Sequence, residues 1–445
     1  MKLLFVSLGC DKNLVDSEEM LGLLTANGFE IVDDETRAEV IVVNTCCFIN
    51  DAKEESVNTI LEMAEYKKEG TCKVLIVTGC MAQRYKNEII EEVPEVDAVL
   101  GTTSYGDILK AINEAMDGKH FQEFKDIDYL PEKLGKRVLT TGGHFGYLKI
   151  AEGCDKHCTY CIIPKLRGKF RSVPMERLVA QAQEMAEEGV KELILVAQET
   201  TVYGTDIYGK KSLHILLKEL CKIKGIRWIR VLYCYPEEIY DELIQTMKEE
   251  KKICHYLDLP IQHASDRILK RMGRRTTQAE LVAIVNKLRQ EIPDIVLRTT
   301  LITGFPGETQ EDHEELMGFV DEMEFDRLGV FTYSPEEDTP AADMPDQIPE
   351  EVKEERRDEI MELQQEISYD KGTDRIGQEL MVMIEGKVAD ESAYIGRTYG
   401  DAPKVDGYIF VQTGELLMTG DFAKVRVTGA LEYDLIGELA DEYTE

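Results

Sequence analysis

The chain has 445 residues, which is too long for one compact hydrophobic core and predicts two or three domains. Hydrophobic residues make up 43% and charged residues 31%, a composition that argues against extensive disorder. The formal net charge of -34 favours basic partners and disfavours, without excluding, a protein that grips a nucleic-acid backbone.

The chain contains 11 cysteines and no convincing secretory signal. Residues 1–9 are apolar but too short for a signal peptide, and no apolar run reaches the roughly 18–20 residues of a membrane helix. We therefore expect a cytoplasmic protein with no membrane association. Its reduced thiols are then ligands, reactive groups or core residues.

The first 100 residues alternate strand and helix patterns, which predicts an α/β domain with a parallel sheet covered on both faces. Cys10, Cys46 and Cys80 each follow a predicted strand. Since the carboxyl ends of parallel strands share one edge of a sheet, we expect the three thiols to converge there. The predicted strands are residues 2–7, 40–44, 74–78 and 97–100, and helical patterns cover residues 14–26 and 52–67.

A second array of strands and helices follows a polar segment, residues 117–143, which we interpret as a linker. Six strands with intervening helices predict a partial (β/α) barrel with its site at the carboxyl ends of the strands. The predicted strands are residues 146–151, 192–196, 226–232, 255–259, 296–302 and 327–333.

The last part of the chain predicts a small β-barrel, because short alternating strands are separated by glycine-containing turns. Residues 334–349, rich in Pro, Asp and Glu, and a charged helix over residues 350–371 precede it. The predicted strands are residues 380–384, 407–411 and 423–428. We expect the domains to cover residues 1–135, 136–371 and 372–445.

The strongest local motif is GCDKHCTYC, which places Cys154, Cys158 and Cys161 in one polar loop after a predicted strand. Three thiolates ligate three irons of a cubane iron–sulfur cluster and leave the fourth iron open to a non-protein donor. The alternative is a zinc site with His157 as the fourth ligand. The side chains of His157 and Cys158 are neighbours that diverge, so they make poor partners for one tetrahedral ion.

A second three-thiolate site is the better interpretation of Cys10, Cys46 and Cys80, although a single cysteine is more often a small buried hydrophobe. Polar or glycine-containing turns precede Cys46 and Cys80, and such turns let a cluster approach the backbone. Cys47 is adjacent to Cys46 and should point elsewhere. The other cysteines show no spacing logic and are assigned to the core: Cys72, Cys221, Cys234 and Cys254.

The central loop resembles that of the radical S-adenosyl-L-methionine superfamily, in which Tyr160 occupies the aromatic position of the motif. The resemblance implies that the cofactor's methionine part chelates the open iron, and that one electron from the cluster yields a 5′-deoxyadenosyl radical. It also implies that the segment GFPGET, which begins at Gly304, lines the adenosine pocket. Gln198, Glu199 and Arg298 lie at or near predicted strand ends and either contact the cofactor or are satisfied polar residues of the barrel.

Two three-cysteine sites and a terminal barrel look like the methylthiotransferase family over nearly the whole chain, and the barrel resembles that family's TRAM domain. The resemblance implies two [4Fe–4S] clusters, of which the N-terminal one carries the sulfur to be inserted. One molecule of S-adenosyl-L-methionine then supplies the methyl group and a second supplies the radical. An electron donor such as flavodoxin or ferredoxin is implied too, with no catalytic residue beyond the cluster ligands.

One branch of that family modifies adenosine in tRNA, and the other modifies an aspartate of small-subunit ribosomal protein S-twelve at its β-carbon. Asp11-Lys12-Asn13 and the segment LPIQH that ends at His263 resemble the second branch. Residues 372–445 hold six Lys and Arg but fifteen Asp and Glu, which favours a basic protein over tRNA unless these charges are only a solvated surface. A tRNA-modifying enzyme and a plain electron-carrying iron–sulfur protein remain the alternatives.

Overall fold

The computed structural model describes residues 1–132, 134–389 and 391–440. The elements of its N-terminal domain are β1 (Lys2–Ser7), α1 (Asp11–Ala26), β2 (Glu30–Ile31), β3 (Val40–Thr45), α2 (Asn50–Glu69), β4 (Val74–Gly79), α3 (Cys80–Tyr85), α4 (Asn87–Glu92), β5 (Ala98–Leu100), α5 (Ile108–Met116) and β6 (Phe121–Glu123). The strands form one six-stranded parallel sheet in the order β2-β1-β3-β4-β5-β6.

This doubly wound parallel sheet is the predicted α/β architecture, and its central strands β3 and β4 are buried along their whole length. Two strands were not predicted. The edge strands β2 and β6 have two and three residues, too few to show any periodicity in the sequence. Because β6 lies within residues 117–143, part of the segment interpreted as a linker belongs to the N-terminal sheet.

The elements of the central domain are β7 (Phe145–Lys149), β8 (Ala151–Glu152), α6 (Ile163–Arg167), β9 (Arg171–Ser172), α7 (Met175–Glu187), β10 (Glu192–Val196), α8 (Thr205–Tyr208), α9 (Leu213–Cys221), β11 (Trp228–Val231), α10 (Asp241–Glu249), β12 (Ile253–Asp258), α11 (Asp266–Arg271), α12 (Gln278–Glu291), β13 (Val296–Thr303), α13 (Gln310–Met323), β14 (Arg327–Thr332) and α14 (Glu350–Thr373). Six parallel strands follow one another in chain order from β7 to β14, with β8 and β9 outside the sheet, so the predicted partial barrel is confirmed.

One predicted strand of the central domain is divided. The sheet strand ends at Lys149, and β8 instead pairs antiparallel with β9, which directs the chain into the loop of Cys154.

In the part of the chain that the structure describes, no helix is both long enough and apolar enough to cross a membrane.

The C-terminal domain is a closed five-stranded barrel, as predicted. Its interior is apolar and includes Val382, Ile409 and Val425. The sequence missed two of its strands, the second and the fifth in chain order. The strands are β15 (Glu379–Lys387), β16 (Ala393–Thr398), β17 (Ile409–Gln412), β18 (Phe422–Ala430) and β19 (Leu435–Leu439).

The C-terminal barrel docks against the amino ends of the central strands. Glu192, the first residue of β10, lies between two guanidinium groups, 2.8 Å from Arg230 Nε and 2.7 Å from Arg397 Nη2. All three side chains are fully buried. Beside them, the rings of Trp228 and Phe422 meet edge to face with centroids 4.8 Å apart. This docking leaves the carboxyl edge of the central sheet free for a site.

Helix α1 joins the N-terminal domain to the central domain through buried charges. The Lys149 ammonium contacts the carboxylates of Asp16 and Glu152. Arg167 Nη1 lies 2.8 Å from Asp16 Oδ2 and 3.4 Å from Glu152 Oε1. Because all four groups are buried, each charge depends on its partners for stabilisation.

This charged interface should weaken in acid. Burial acts to raise the pKa of Glu152, but Lys149 and Arg167 hold that pKa at about 2. A carboxylate whose pKa is depressed in the folded state contributes stability above its unfolded pKa, and that contribution is lost as the pH falls from about 4.5 toward 2. We expect urea unfolding to show a loss on the order of 2–3 kcal/mol over this range. The variant Glu152→Gln, less stable at neutral pH, should show a flatter dependence, and equal slopes would contradict the assignment.

Candidate cluster and cofactor sites

Cys10, Cys46 and Cys80 follow β1, β3 and β4, which are direct neighbours in the N-terminal sheet. Cys10 is the residue before α1, Cys46 follows β3 directly, and Cys80 is the first residue of α3. Burial raises the pKa of Cys46 to about 12, and the thiols of Cys80 and Cys10 add to that rise. The structure therefore brings the three cysteines together at the carboxyl edge of the sheet.

The neighbouring Cys47 occupies a different environment from Cys46. Cys47 is fully buried in an apolar core together with Val77 and Met81. Burial raises the pKa of Cys47, whereas a hydrogen bond with Arg84 opposes that rise. Cys80 belongs to that same core, so burial alone does not separate the two cysteines. The thiol of Cys10 is among the largest influences on the pKa of Cys46 but not on that of Cys47, which supports Cys46 as the member of the three-thiol set.

A glycine with positive φ directly precedes three of the six candidate ligands: Gly9, Gly79 and Gly153, with φ of 82°, 93° and 76°. A Cβ atom at Gly9 would lie 2.8 Å from Cys46 Sγ, so the turn before Cys10 approaches the second thiol too closely for a side chain.

Asn13 holds the turns before Cys10 and Cys46 in place. Its amide nitrogen donates hydrogen bonds to Leu8 O at 2.8 Å and to Thr45 O at 3.1 Å. The Asn44 amide in turn donates to Asn13 O at 2.9 Å. The sequence marked Asn13 only as part of a family motif. The Thr45 carbonyl that it binds lies 32 residues away in the chain, so its supporting role could not be read from local spacing.

The central set, Cys154, Cys158 and Cys161, lies in the loop between β8 and α6. Backbone hydrogen bonds fix this loop, from Cys154 N to Gly168 O at 3.1 Å and from Cys161 N to Cys158 O at 3.0 Å. Burial raises the pKa of Cys161 to about 12, and the thiols of Cys158 and Cys154 contribute to the rise. All six candidate thiols of the two sets are free of disulfides.

The spacing of both sets bears on the choice between a cluster and a zinc ion. Within residues 1–132, 134–389 and 391–440, no three His, Cys, Asp or Glu side chains converge as the ligands of a single metal ion do. Thiolates of a cubane cluster each bind a different iron and are therefore held further apart. Three thiols in one loop, all free of disulfides, fit a cluster of several irons.

Unpaired polar atoms lie beyond the carboxyl end of β10. Among the described residues, Gln198 Oε1 and Glu199 Oε2 are buried without a hydrogen-bond partner. Burial raises the pKa of Glu199 to about 7, and Lys156 Nζ, from the central cysteine loop, lies 3.9 Å from Glu199 Oε2. A buried polar atom left unpaired costs roughly 1–3 kcal/mol, so these acceptors fit a ligand with amine and hydroxyl groups.

Arg274 is a further candidate that the sequence did not single out. Its guanidinium lies 4.4 Å above the ring of Tyr235, whose hydroxyl is 3.9 Å from Cys158 Sγ. In the described part of the chain, Arg274 Nε and Nη1 are buried without a hydrogen-bond partner. Donors and acceptors without partners therefore accompany the central thiols, as a bound polar cofactor requires.

Tyr160 packs against the loop that follows β13, and Gly304 is the first residue of that loop. The ring of Tyr160 packs edge to face against that of Phe305, with centroids 6.4 Å apart. Gly304 has a φ of 68°, and a Cβ atom there would lie 2.1 Å from Lys353 Cγ of α14. The close packing of α14 is thus sufficient to require glycine at this position.

Arg298 lies third in β13 and not at its carboxyl end. Its Nη1 donates to Asp258 Oδ1 at 2.8 Å, and its Nε is 3.3 Å from Asp406 Oδ1 of the C-terminal barrel. Its guanidinium is therefore engaged with protein carboxylates, unlike the unpaired acceptors of Gln198 and Glu199. The contact between Arg298 and Asp406 could not be predicted from the sequence, because the two residues lie in different domains.

Lys12 and Asp11 connect the N-terminal site to the central domain. Lys12 Nζ is 3.0 Å from Asp11 Oδ1 and 3.3 Å from the centroid of the Tyr233 ring. The Tyr233 hydroxyl donates to Asp11 Oδ1 at 3.1 Å. The residue after Cys10 therefore contacts the loop beyond β11, which also carries Tyr235 beside Cys158, so both candidate sites adjoin the same domain interface.

Comparison with known proteins places this arrangement in a family. Residues 2–101 match a family described as Uncharacterized protein family UPF0004, residues 148–320 match the Radical SAM superfamily, and residues 376–440 match the TRAM domain. A Lachnoclostridium phytofermentans protein named ribosomal protein uS12 methylthiotransferase RimO is 66% identical over 98% of this chain and 99% of that protein. The chain belongs to the RimO family of methylthiotransferases. RimO proteins of Clostridium perfringens and Clostridioides difficile are 54% and 49% identical, over 98% and 99% of this chain and the same shares of those proteins.

Solved structures agree with the family at the level of the fold. The radical S-adenosylmethionine methyltransferase TsrM from Kitasatospora setae, with cobalamin and a [4Fe-4S] cluster bound, has a TM-score of 0.56 at 13% identity, covering 76% of each chain. The cobalamin-dependent radical enzyme OxsB has a TM-score of 0.53 at 14% identity, covering 82% of this chain and 56% of that one. As a RimO-family member, the protein is a radical transferase whose cofactors are S-adenosyl-L-methionine and two [4Fe–4S] clusters.

The turn before the central loop provides a test of where a cluster binds. In the variant Gly153→Ala, the new Cβ atom would lie 2.1 Å from Lys169 O and 2.5 Å from Gly168 O, which are both backbone atoms. We expect the reconstituted variant to hold one cluster fewer than the wild type, measured as iron and sulfide per chain. Gly189→Ala is the control, because Gly189 has a φ of 102° with no atom within 4 Å of an added Cβ. Full iron content in Gly153→Ala would argue against this loop as the cluster site.

Proposed function

We propose that this protein inserts a methylthio group at the β-carbon of an aspartate in ribosomal protein uS12. Relatives that match it over nearly their full length carry the name of that activity. The observation that supports the proposal best is the presence of two three-thiol sets. One follows β1, β3 and β4 of the N-terminal sheet, and the other lies in the loop between β8 and α6, a helix that packs against α3. An unactivated C–H bond offers no acidic proton, so the reaction needs a radical and a sulfur donor within reach.

We assign the central [4Fe–4S] cluster to Cys154, Cys158 and Cys161, and the N-terminal cluster to Cys10, Cys46 and Cys80. When bound, the central cluster and S-adenosyl-L-methionine supply the radical, and the N-terminal cluster supplies the sulfur. The role of the chain is to place the two groups, which it does through buried turns and backbone hydrogen bonds. The proposed cofactor contacts are Tyr160, Gln198, Glu199 and Gly304. Arg298 is left out of this set because Asp258 and Asp406 engage its guanidinium.

Glu199 and Gln198 present acceptor atoms that an amine or a ribose hydroxyl of the cofactor satisfies. Lys156, near Glu199, keeps a positive charge beside that carboxylate and favours its ionised form. The Tyr160 ring covers Phe305 and so closes one side of the space between the central loop and the segment after β13. We propose that these contacts orient the cofactor and exclude water from it.

The acidic C-terminal barrel supports a basic protein as substrate. Lys and Arg number six over residues 372–445, against fifteen Asp and Glu, and ribosomal proteins are rich in basic residues. We propose further that the reductant is a flavodoxin or ferredoxin, and that the enzyme acts in the cytoplasm, where the ribosome is. Modification of adenosine in tRNA is the second candidate, which the acidic barrel disfavours.

Anaerobic reconstitution with iron and sulfide, followed by mass spectrometry, tests the proposal. A peptide that carries the target aspartate of uS12 should gain one methylthio group in the presence of reductant and S-adenosyl-L-methionine. The matched peptide with asparagine at that position is the control for the site. A protein with both clusters that modifies tRNA but not the peptide would overturn the substrate assignment. A protein that forms no 5′-deoxyadenosine would instead be an electron carrier.

A further inference from the structure

The short helix α6 links the two candidate cluster sites physically. It begins two residues after Cys161, yet it packs against α3, which begins with Cys80. Ile162 and Leu166 belong to the same apolar core as Cys80. The Leu166 carbonyl accepts a hydrogen bond of 2.8 Å from Thr102 Oγ1 of the N-terminal domain. A segment of the central domain is thus embedded in the N-terminal domain beside its thiols.

The side chain of Arg167, the last residue of α6, extends into the N-terminal site. That side chain is 3% exposed. Its Nη2 donates to Asn13 Oδ1 at 3.0 Å, and Asn13 in turn holds the turns that precede Cys10 and Cys46. The guanidinium therefore fixes the orientation of the amide that holds two of the three thiol-bearing turns.

The charge of Arg167 also acts on the thiols. The buried guanidinium binds Asn13, whose amide reaches the backbone beside Cys10 and Cys46, and α6 packs against α3, which begins with Cys80. A buried cation beside a cluster favours added negative charge on that cluster. Hydrogen bonds and charges near cluster sulfurs are among the determinants of cluster reduction potential.

We propose that Arg167 is a positioning residue that holds the N-terminal thiolates in one geometry and stabilises the reduced state of the cluster they bind. This inference rests on the assignment of that cluster to Cys10, Cys46 and Cys80. It gives the central domain a direct influence on the redox properties of the N-terminal site. Helix α6 itself connects the two sites, because it continues directly from the loop of Cys161.

Lys149 offers a matched control within the same interface. Its ammonium contacts the same two carboxylates as Arg167, those of Asp16 and Glu152. The main influences on the pKa of Lys149 are burial and these carboxylates, with no cysteine among the largest. Loss of Lys149 removes one buried positive charge from the network without removing a partner of Asn13.

The test is a potentiometric titration of the N-terminal cluster, followed by electron paramagnetic resonance. A full-length chain with Cys154, Cys158 and Cys161 replaced by alanine isolates its signal. We expect Arg167→Gln to shift the midpoint to lower potential and to alter the spectrum. Arg167→Lys, which keeps the charge but not the planar fork, should fall between Arg167→Gln and the parent chain. Lys149→Met should give a distinctly smaller shift than Arg167→Gln.

An unchanged midpoint in Arg167→Gln would overturn the inference, and so would an equal shift in Lys149→Met. If Arg167→Gln does not retain its cluster, Arg167→Lys decides. A lowered midpoint in that variant supports the proposal, and a parental midpoint and spectrum overturn it. If the parent chain itself binds no cluster, the assignment of Cys10, Cys46 and Cys80 fails instead, so the two failures are distinguishable.

Discussion

Replacing Cys46 with alanine should abolish methylthiolation while leaving cleavage of S-adenosyl-L-methionine nearly unchanged. Cys46 belongs to the N-terminal thiol set, whereas we propose that the radical is generated at the central set, which the substitution does not touch. We expect product formation to fall by more than about 100-fold, beyond the usual effect of losing a group that merely supports a metal ligand. The measurement is 5′-deoxyadenosine and methylthiolated peptide from the same anaerobic reaction, together with iron per chain.

Cys47→Ala is the matched control for this experiment. Cys47 is the adjacent cysteine and is fully buried in the apolar core. The substitution removes a small buried side chain and should cost stability, but it should leave the iron content and both products at wild-type levels. Equal loss of 5′-deoxyadenosine and methylthiolated peptide in Cys46→Ala would contradict the proposed division between the two sites.

The second large effect concerns stability. Glu192→Ala should destabilise the contact between the central domain and the C-terminal barrel by about 3–5 kcal/mol, because two buried guanidinium groups would lose the carboxylate between them. We expect the first transition in urea unfolding of the full chain to shift to lower urea. Limited proteolysis near the start of β15 should become faster.

An exposed ion pair provides the control variant for Glu192→Ala. Glu219 lies 2.7 Å from Lys222 on an exposed face of the central domain, and such pairs contribute about 0–1 kcal/mol. Glu219→Ala should therefore leave the first transition almost in place. If Glu192→Ala unfolds like the wild type, the buried contact does not hold the barrel to the central sheet.

The sequence was sufficient for the three architectures because each has a strong periodic signal. The buried strands β3 and β4, for example, are continuous apolar runs bounded by polar turns. Short elements gave no such signal. Strand β6 is three residues long and became visible only through its pairing with β5.

The candidate thiols could be predicted because the placement of cysteine after a strand and its spacing in a loop are local properties. The residues that support them could not. Asn13, Arg167 and Arg298 obtain their roles from partners in other elements or domains, such as Asp406 for Arg298. In the sequence these residues look like polar residues of the protein surface. Only the packing of the domains shows that Asn13 and Arg167 are buried and that Arg298 is half-buried.

The position of α6 has a consequence for how the protein is made. The apolar core of the N-terminal domain includes Ile162 and Leu166, which leave the ribosome well after the last strand of that domain, β6. A nascent chain that ends before these two residues leaves the apolar core around Cys80 incomplete, and it also lacks the guanidinium of Arg167. The N-terminal thiols therefore reach their final arrangement only as the central loop is synthesised. We expect both sites to receive their clusters at the same stage of biogenesis, and not one domain after the other.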